Sequence, residues 1–375
     1  MPFRQVNSRS AWLFNFVWVC LAVLAAGCRG QPAGQAAGIT TPTETITLYG
    51  WAEDIPPTVL EAFQAEYGVQ VQYLTYDSSE EAAESIRAGG RYDVAVLENR
   101  SIPGLVSAGK LARIRPSDIT NFKNITTSFR DLVYDPGNQY SIPFNWGTTG
   151  LVVRADRLVK PLYDWAGLWE LPPGAKIAMW RGEPRDGLGI ALKSLGFSPN
   201  SEQPEELEAA LERLMGIRDR VIFVEDFDVT RAGQLLERGE AVAAVGYAVD
   251  VLEGRKVNPA IRYILPQEGA LMWGDNFTIL ADSPKQANAG LFINFLLRPE
   301  ISAQIANYNR YATPNEAAFP FIDPEIMSDP VIFPPTAYLM NAEIILPLSL
   351  EGEQLYDRVW RQFTGDESRG AGDDH

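Results

Sequence analysis

The sequence predicts an α/β protein built as two lobes, each an open sheet with flanking helices. Residues 45–97 show strand and helix patterns in the order βαβαβ, which places helices on the faces of a largely parallel sheet. Tyr92 to Leu97 and Ala241 to Val245 are near-continuous apolar runs, the composition of strands buried on both faces. The chain has 375 residues, more than one hydrophobic core usually serves, so two lobes are expected.

Thr45 to Tyr49 alternates as the first strand. Pro56-Pro57 opens a helix, since proline suits the first helical turn, and Val59, Leu60, Phe63 and Tyr67 repeat at helical spacing until Gly68. Val69, Val71 and Tyr73 alternate as a second strand. Ser79 to Ala88 is helical, with acids in the first turn where the helix dipole favours them, and Gly89-Gly90 breaks it before the strand at 92–97.

A second unit repeats the theme. Gly150 to Val153 and Lys176 to Trp180 read as strands, Leu188 to Leu195 as a helix and Ala241 to Val245 as a buried strand. Between them, Pro204 to Met215 is amphipathic: Leu207, Leu211 and Leu214 share one face, and Glu205, Glu206, Glu208 and Glu212 form the solvated one. Asn276 to Leu280 reads as a strand and Ala287 to Leu297 as a helix that stops before Pro299. Prolines at 314, 320, 324, 330, 334, 335 and 347 predict a tail of short pieces that crosses back over the lobes.

Composition excludes several function classes. With 32 Lys+Arg against 48 Asp+Glu the formal net charge is −16, the wrong sign for a nucleic-acid binder. One histidine, His375, and two cysteines leave zinc hydrolases, cysteine proteases and Ser-His-Asp hydrolases without their residues. No metal or cofactor is expected. Tyr308 and Tyr311 could suggest a ferric site, but with no histidine or clear carboxylate beside them packing is the better reading.

The first residues read as a targeting segment. Arg4 and Arg9 precede an apolar stretch from Ala11 to Ala26, shorter than the roughly 20 residues a membrane span needs. It ends in Leu24-Ala25-Ala26-Gly27-Cys28, which resembles the bacterial lipoprotein signal, although Ala25 stands where that signal usually has Leu. Residues 1–27 are therefore expected to be a signal peptide and Cys28 the lipidated residue. Residues 28–43, rich in Gly, Ala, Gln, Thr and Pro, suit a flexible tether.

Aromatic residues beside carboxylates recur after strand ends: Trp51 with Glu53 and Asp54, Trp180 with Glu183 and Asp186, Trp273 with Asp275. Ligands of open α/β sheets bind at such ends. One pair alone would more simply be a core tryptophan and a solvated acid. Three pairs in equivalent settings suit an amine, because an indole face attracts a cation and a carboxylate gives it a charge-assisted hydrogen bond. Glu183 and Asp186 are too close in sequence to flank a glycosidic bond easily, so a glycosidase is a weaker reading. Asp186-Gly187-Leu188-Gly189 lacks phosphate-loop spacing and reads as a turn into a helix.

These residues resemble the spermidine/putrescine-binding proteins of bacterial uptake systems. The carrying segments are Leu48-Tyr49-Gly50-Trp51-Ala52-Glu53-Asp54-Ile55-Pro56, Tyr140-Ser141-Ile142-Pro143-Phe144-Asn145-Trp146-Gly147, Trp273-Gly274-Asp275, Ile293-Asn294-Phe295-Leu296-Leu297-Arg298-Pro299-Glu300 and Tyr311-Ala312-Thr313-Pro314-Asn315. They run in family order over nearly the whole chain after the tether.

The resemblance implies a type II periplasmic-binding-protein fold, with a mixed sheet in each lobe and a ligand cleft between lobes. It implies lobe 1 at 44–149 plus 276–318, lobe 2 at 150–275 plus 319–365, and a disordered tail at 366–375. The ligand-binding set it implies is Trp51, Glu53, Asp54, Glu98, Glu183, Asp186, Tyr247, Trp273 and Asp275. The sequence departs from the family in four places: Glu98-Asn99-Arg100 replaces a Ser-Thr-Tyr segment, Asp54 replaces an aromatic, Tyr247 stands where the family has Trp, and Ile345 stands where Gln is common. Arg100 could either neutralise Glu98 or repel a cation.

The expected protein is a monomeric, lipid-anchored solute-binding component that passes a polyamine to an ABC permease in the periplasm or at the outer face of the cytoplasmic membrane. A sugar or other neutral solute is the alternative ligand, and a carbohydrate-active enzyme the rival class.

Overall fold

The computed structural model describes residues 44–225 and 231–366. The signal segment, Cys28, the tether and the tail from 367 lie outside the described residues. The chain starts with β1 (Glu44–Trp51), α1 (Pro57–Tyr67), β2 (Val69–Tyr76), α2 (Ser79–Arg87), β3 (Val94–Glu98) and α3 (Ile102–Ser107). This is the predicted βαβαβ order, with β1 lying between β2 and β3 and parallel to both. α1 ends where Gly68 takes a φ of 68°, and Ser78 caps α2 by accepting from the Glu81 amide at 3.1 Å.

The chain then enters β4 (Ser141–Arg154) and continues through β5 (Ile177–Trp180), α4 (Pro184–Ser194), α5 (Pro204–Met215), β6 (Val221–Val224), α6 (Arg231–Glu237), β7 (Ala243–Tyr247), α7 (Ala248–Val257) and β8 (Ile261–Ile264). It returns through β9 (Leu271–Ile279), α8 (Gln286–Leu296), α9 (Pro299–Asn309), α10 (Pro324–Met327), β10 (Glu343–Ile344) and α11 (Leu350–Thr364).

The strand order is β2-β1-β3-β9-β4-β7-β5-β6, with β10 beside β9 and β8 beside β4. β4 and β9 are longer than their sequence patterns predict, and their length joins the sheets of the two lobes. One end of each lies in the first apolar core, where Ile142 and Phe144 meet Phe277 and Ile279. The other end lies in the second core, where Leu151 and Val153 meet Leu271. β4 escapes pattern reading because it is buried along nearly its whole length, paired antiparallel to β9 and then to β7 and β8.

Two helices also differ from expectation. α4 begins at Pro184, placing Gly187 inside it, where a Cβ would come within 2.1 Å of the Trp360 ring. Glycine there lets α11 close on α4. The tail is more than short pieces: α11 is 15 residues long and buries Tyr356, Val359, Trp360 and Phe363 against the second core. Before it, Ala318 and Ile322 pack with Ala303 and Ala306 of α9, and Val331 packs on a satellite core that contains Val152 and Tyr247.

Candidate functional site

A cavity of ≈ 630 Å³ opens at the carboxyl ends of the parallel strands, a volume suited to a small organic ligand. Trp51 ends β1, Glu98 ends β3 and Tyr247 ends β7, while Glu183 and Asp186 begin the helix after β5. Trp273 and Asp275 do not follow a strand end as the sequence suggested: they come from within β9, which runs antiparallel between β3 and β4 and so crosses the cavity mid-strand. These residues, with Glu53 and Asp54, line one cavity, so all nine positions singled out in the sequence meet there.

Asp54 and Asp275 lie close enough in the lining for their charges to act on one another. Glu53 adopts a left-handed φ of 61°, which turns the chain sharply after β1. Glu53 stays exposed while Asp54 is only 3% exposed. Asp54 Oδ2 has no hydrogen-bond partner among the described residues. Asp275 is buried as well, and its Oδ1 accepts from Trp51 Nε1 at 3.4 Å. Burial lifts the Asp54 carboxyl to about 7. Burial, reinforced by the Asp54 charge, raises Asp275 well above the usual carboxylate range. Neither acid has an ion-pair partner among the described residues.

A second charged group in the lining is Glu183, Asp186, Glu98 and Arg100, with Glu98 directly across β3 and β9 from Asp275. Asp186 lies in the first turn of α4, where the helix dipole favours a carboxylate. It accepts from Tyr247 Oη at 2.8 Å and from Thr149 Oγ1 at 3.2 Å. Burial still pushes it up to about 6, against those hydrogen bonds. Glu183 is raised well above its ordinary range by burial, with Arg100 pulling the other way. The Arg185 guanidinium, also in the lining, donates to the Leu346 carbonyl at 2.8 Å and to Asn200 Oδ1 at 2.9 Å, while its buried Nε has no hydrogen-bond partner among the described residues.

Aromatic rings form the walls. Trp273 makes edge contacts with Tyr247 at 6.0 Å and Tyr311 at 5.3 Å, and its Nε1 has no hydrogen-bond partner. Gly147, its cross-strand partner on β4, makes room for the indole: a Cβ there would lie 2.3 Å from the ring. Trp51 meets Tyr76 at 4.6 Å. Trp180 is different: it is buried in the core and does not line the cavity.

Sequence reasoning missed several lining residues. Tyr308 and Tyr311, read as packing, both face the cavity. The Tyr311 to Asn315 segment was the available signal. Tyr76, Asn99 and Ile345 also line it, and Asn99 Nδ2 donates to the Ile345 carbonyl at 2.6 Å, tying the tail to the turn after β3. No sequence signal marked that contact. Among the described residues no cluster of three acids, histidines or cysteines could hold a metal ion. The cleft can hold and desolvate a small molecule.

The family model for bacterial extracellular solute-binding proteins matches residues 58–334. The chain belongs to that family. This solute-binding protein is 31% identical over 324 residues to the spermidine/putrescine-binding periplasmic protein of Escherichia coli, covering 86% of this chain and 91% of that one. It is 30% identical over 335 residues to the putrescine/agmatine-binding protein of Pseudomonas aeruginosa, covering 84% and 90%. In structure it is similar to the spermidine/putrescine transporter substrate-binding protein of Streptococcus pneumoniae, with a TM-score of 0.77 and 29% identity over 86% of this chain and 99% of that one. The two-lobed fold is thus that of periplasmic binding proteins. Such a protein captures a solute and is not an enzyme.

Proposed function

We propose that this solute-binding protein captures a small polyamine in the interlobe cavity and presents it to an ABC permease outside the cytoplasmic membrane. One observation carries the reading: Asp54 and Asp275 are both buried in an aromatic-walled cavity, and among the described residues no cation is ion-paired to either. Leaving two carboxylates dry costs stability unless something positive joins them. A primary ammonium supplies the charge, while Trp51, Trp273 and Tyr311 cover its methylenes. The named relatives add weight, since their names specify putrescine, spermidine or agmatine. The lobes would close about the paired middle of β4 and β9, residues 145–149 opposite 271–275, where both strands pass between the cores.

Titration calorimetry with putrescine and with 1,4-butanediol tests the reading. The two have the same carbon spacing and differ in charge, so putrescine should bind and the diol should not. Equal binding of the diol would favour a neutral solute and overturn the cation reading.

A pH dependence follows from the raised carboxyls. Unfolded, these acids titrate near pH 4; folded, Asp54 titrates at about 7 and Asp186 at about 6. Between those limits the native state binds more protons than the unfolded one. Their contribution to ligand-free stability is therefore full below about pH 4 and is lost as pH rises through about 7. Amine binding runs the other way, because an ammonium pairs with the ionised acid. Putrescine affinity should rise between about pH 5 and pH 7.5, with proton release visible as a buffer-dependent heat. A flat profile would mean that these acids are ionised before the ligand arrives.

We further propose that Cys28 carries the lipid anchor, on the strength of the Leu24 to Cys28 segment. Cys28→Ser should yield a protein without acyl chains that leaves the membrane fraction and still binds putrescine. A membrane-bound, acylated Cys28→Ser protein would overturn the assignment.

A further inference from the structure

Arg100 is a cation inside a cavity read as a cation site. It sits in the turn after β3 with its side chain 12% exposed and its guanidinium shared among three carboxylates. Nε donates to Glu98, Nη1 to Glu80 of α2 at 3.0 Å, and Nη2 to Glu183 at the start of α4 at 3.3 Å. Glu98 and Glu183 both line the cavity and are themselves largely buried. The charge is thus distributed unevenly. Among the described residues Asp54 and Asp275 have no ion-pair partner, whereas Arg100 already serves Glu98, the cross-strand neighbour of Asp275, and Glu183; Asp186 accepts from the Tyr247 and Thr149 hydroxyls.

We infer that Arg100 is a specificity-determining residue, a built-in counter-ion that fits the cavity to diamines and disfavours triamines. The inference rests on the polyamine reading of the same cavity. A diamine can place one ammonium at Asp54 and Asp275 and the other at Asp186. Glu53 and Asp77 also border the cavity but are exposed, so a third ammonium seated deep inside it would compete with Arg100 for Glu98 and Glu183 and would meet the guanidinium as a like charge where water screens poorly. Guanidinium suits this role because it stays charged at any working pH and its planar donors reach several carboxylates at once.

The test is calorimetric titration of putrescine and spermidine into wild type, Arg100→Ala and Arg100→Lys. Wild type should prefer putrescine by about tenfold or more, and Arg100→Ala should lower that ratio by about tenfold by freeing Glu98 and Glu183 for the third ammonium. Arg100→Lys, which keeps a positive charge in place, should restore most of the preference. If Arg100→Ala does not fold, Arg100→Gln removes the charge while keeping hydrogen-bond donors. The wild-type ratio is itself decisive, since a preference for spermidine overturns the inference without any variant. An unchanged ratio in a folded Arg100 variant also overturns it while leaving the polyamine reading intact. Absence of binding by either amine to any form overturns both.

Discussion

Asp275→Asn is expected to weaken putrescine binding by about 2–5 kcal/mol, roughly thirtyfold to several thousandfold. Asp275 is 5% exposed and lies in the cavity lining. An ammonium seated there in the closed cleft would face a neutral amide of the same shape and keep its desolvation cost without a counter-charge. A pair open to solvent would lose only about 0.2–1 kcal/mol, so the size of the loss reports burial. The same substitution should leave the ligand-free protein as stable as wild type, or more so. Asp275 stands beside Asp54 and directly across β3 and β9 from Glu98, and an amide removes that repulsion. Thermal denaturation at about pH 7.5 and titration calorimetry together distinguish lost recognition from lost folding. Glu205→Gln, on the exposed face of α5, is the control and should change neither quantity. Equal loss in both variants would mean that only net charge matters.

Trp273→Ala is expected to cost putrescine binding about 2 kcal/mol or more, because a bound ammonium loses both an aromatic face and the wall that excludes water. Full burial of a tryptophan would make the fold lose about 3–5 kcal/mol on such truncation. Trp273 is only partly buried, and its ring packs against Tyr247, Tyr311 and Gly147, so the fold should lose less. Chemical denaturation measures the one loss and calorimetry the other. Trp273→Phe should recover part of the binding. If the alanine variant binds putrescine as wild type does, Trp273 is a packing residue and the cation face lies elsewhere.

Much of the first lobe and one helix of the second are readable from local pattern. α5 is bounded in the structure at Pro204 and Met215, where the apolar stripe and the prolyl start place it. β1, α1, β2, α2 and β3 follow in the predicted order, since each is half-buried or bounded by Gly and Pro, and such segments carry their environment in their periodicity. β4 does not. Asn145, Trp146, Gly147, Thr148 and Thr149 have no alternation, because a central strand between β9 and β7 has no solvent side to alternate with.

The sequence by itself determined which residue types converge, aromatics and acids, and for Trp51, Glu98 and Tyr247 the reason it gave holds, since the carboxyl ends of parallel strands face one crevice in an open α/β sheet, whereas Trp273 and Asp275 reach it from within the antiparallel strand β9. It could not rank them. Glu53 and Asp54 are adjacent carboxylates, and only the left-handed turn at Glu53 decides that one is solvated and the other buried. Trp180 and Trp51 both accompany acids, yet one fills a core and the other lines the cavity. Whether Arg100 would repel a ligand or neutralise the protein depended on Glu80 and Glu183, far from it in sequence and adjacent to its guanidinium in space. Chain pattern records what a segment needs on its own, whereas charge pairing and burial depend on which distant segments the fold brings within a few ångströms.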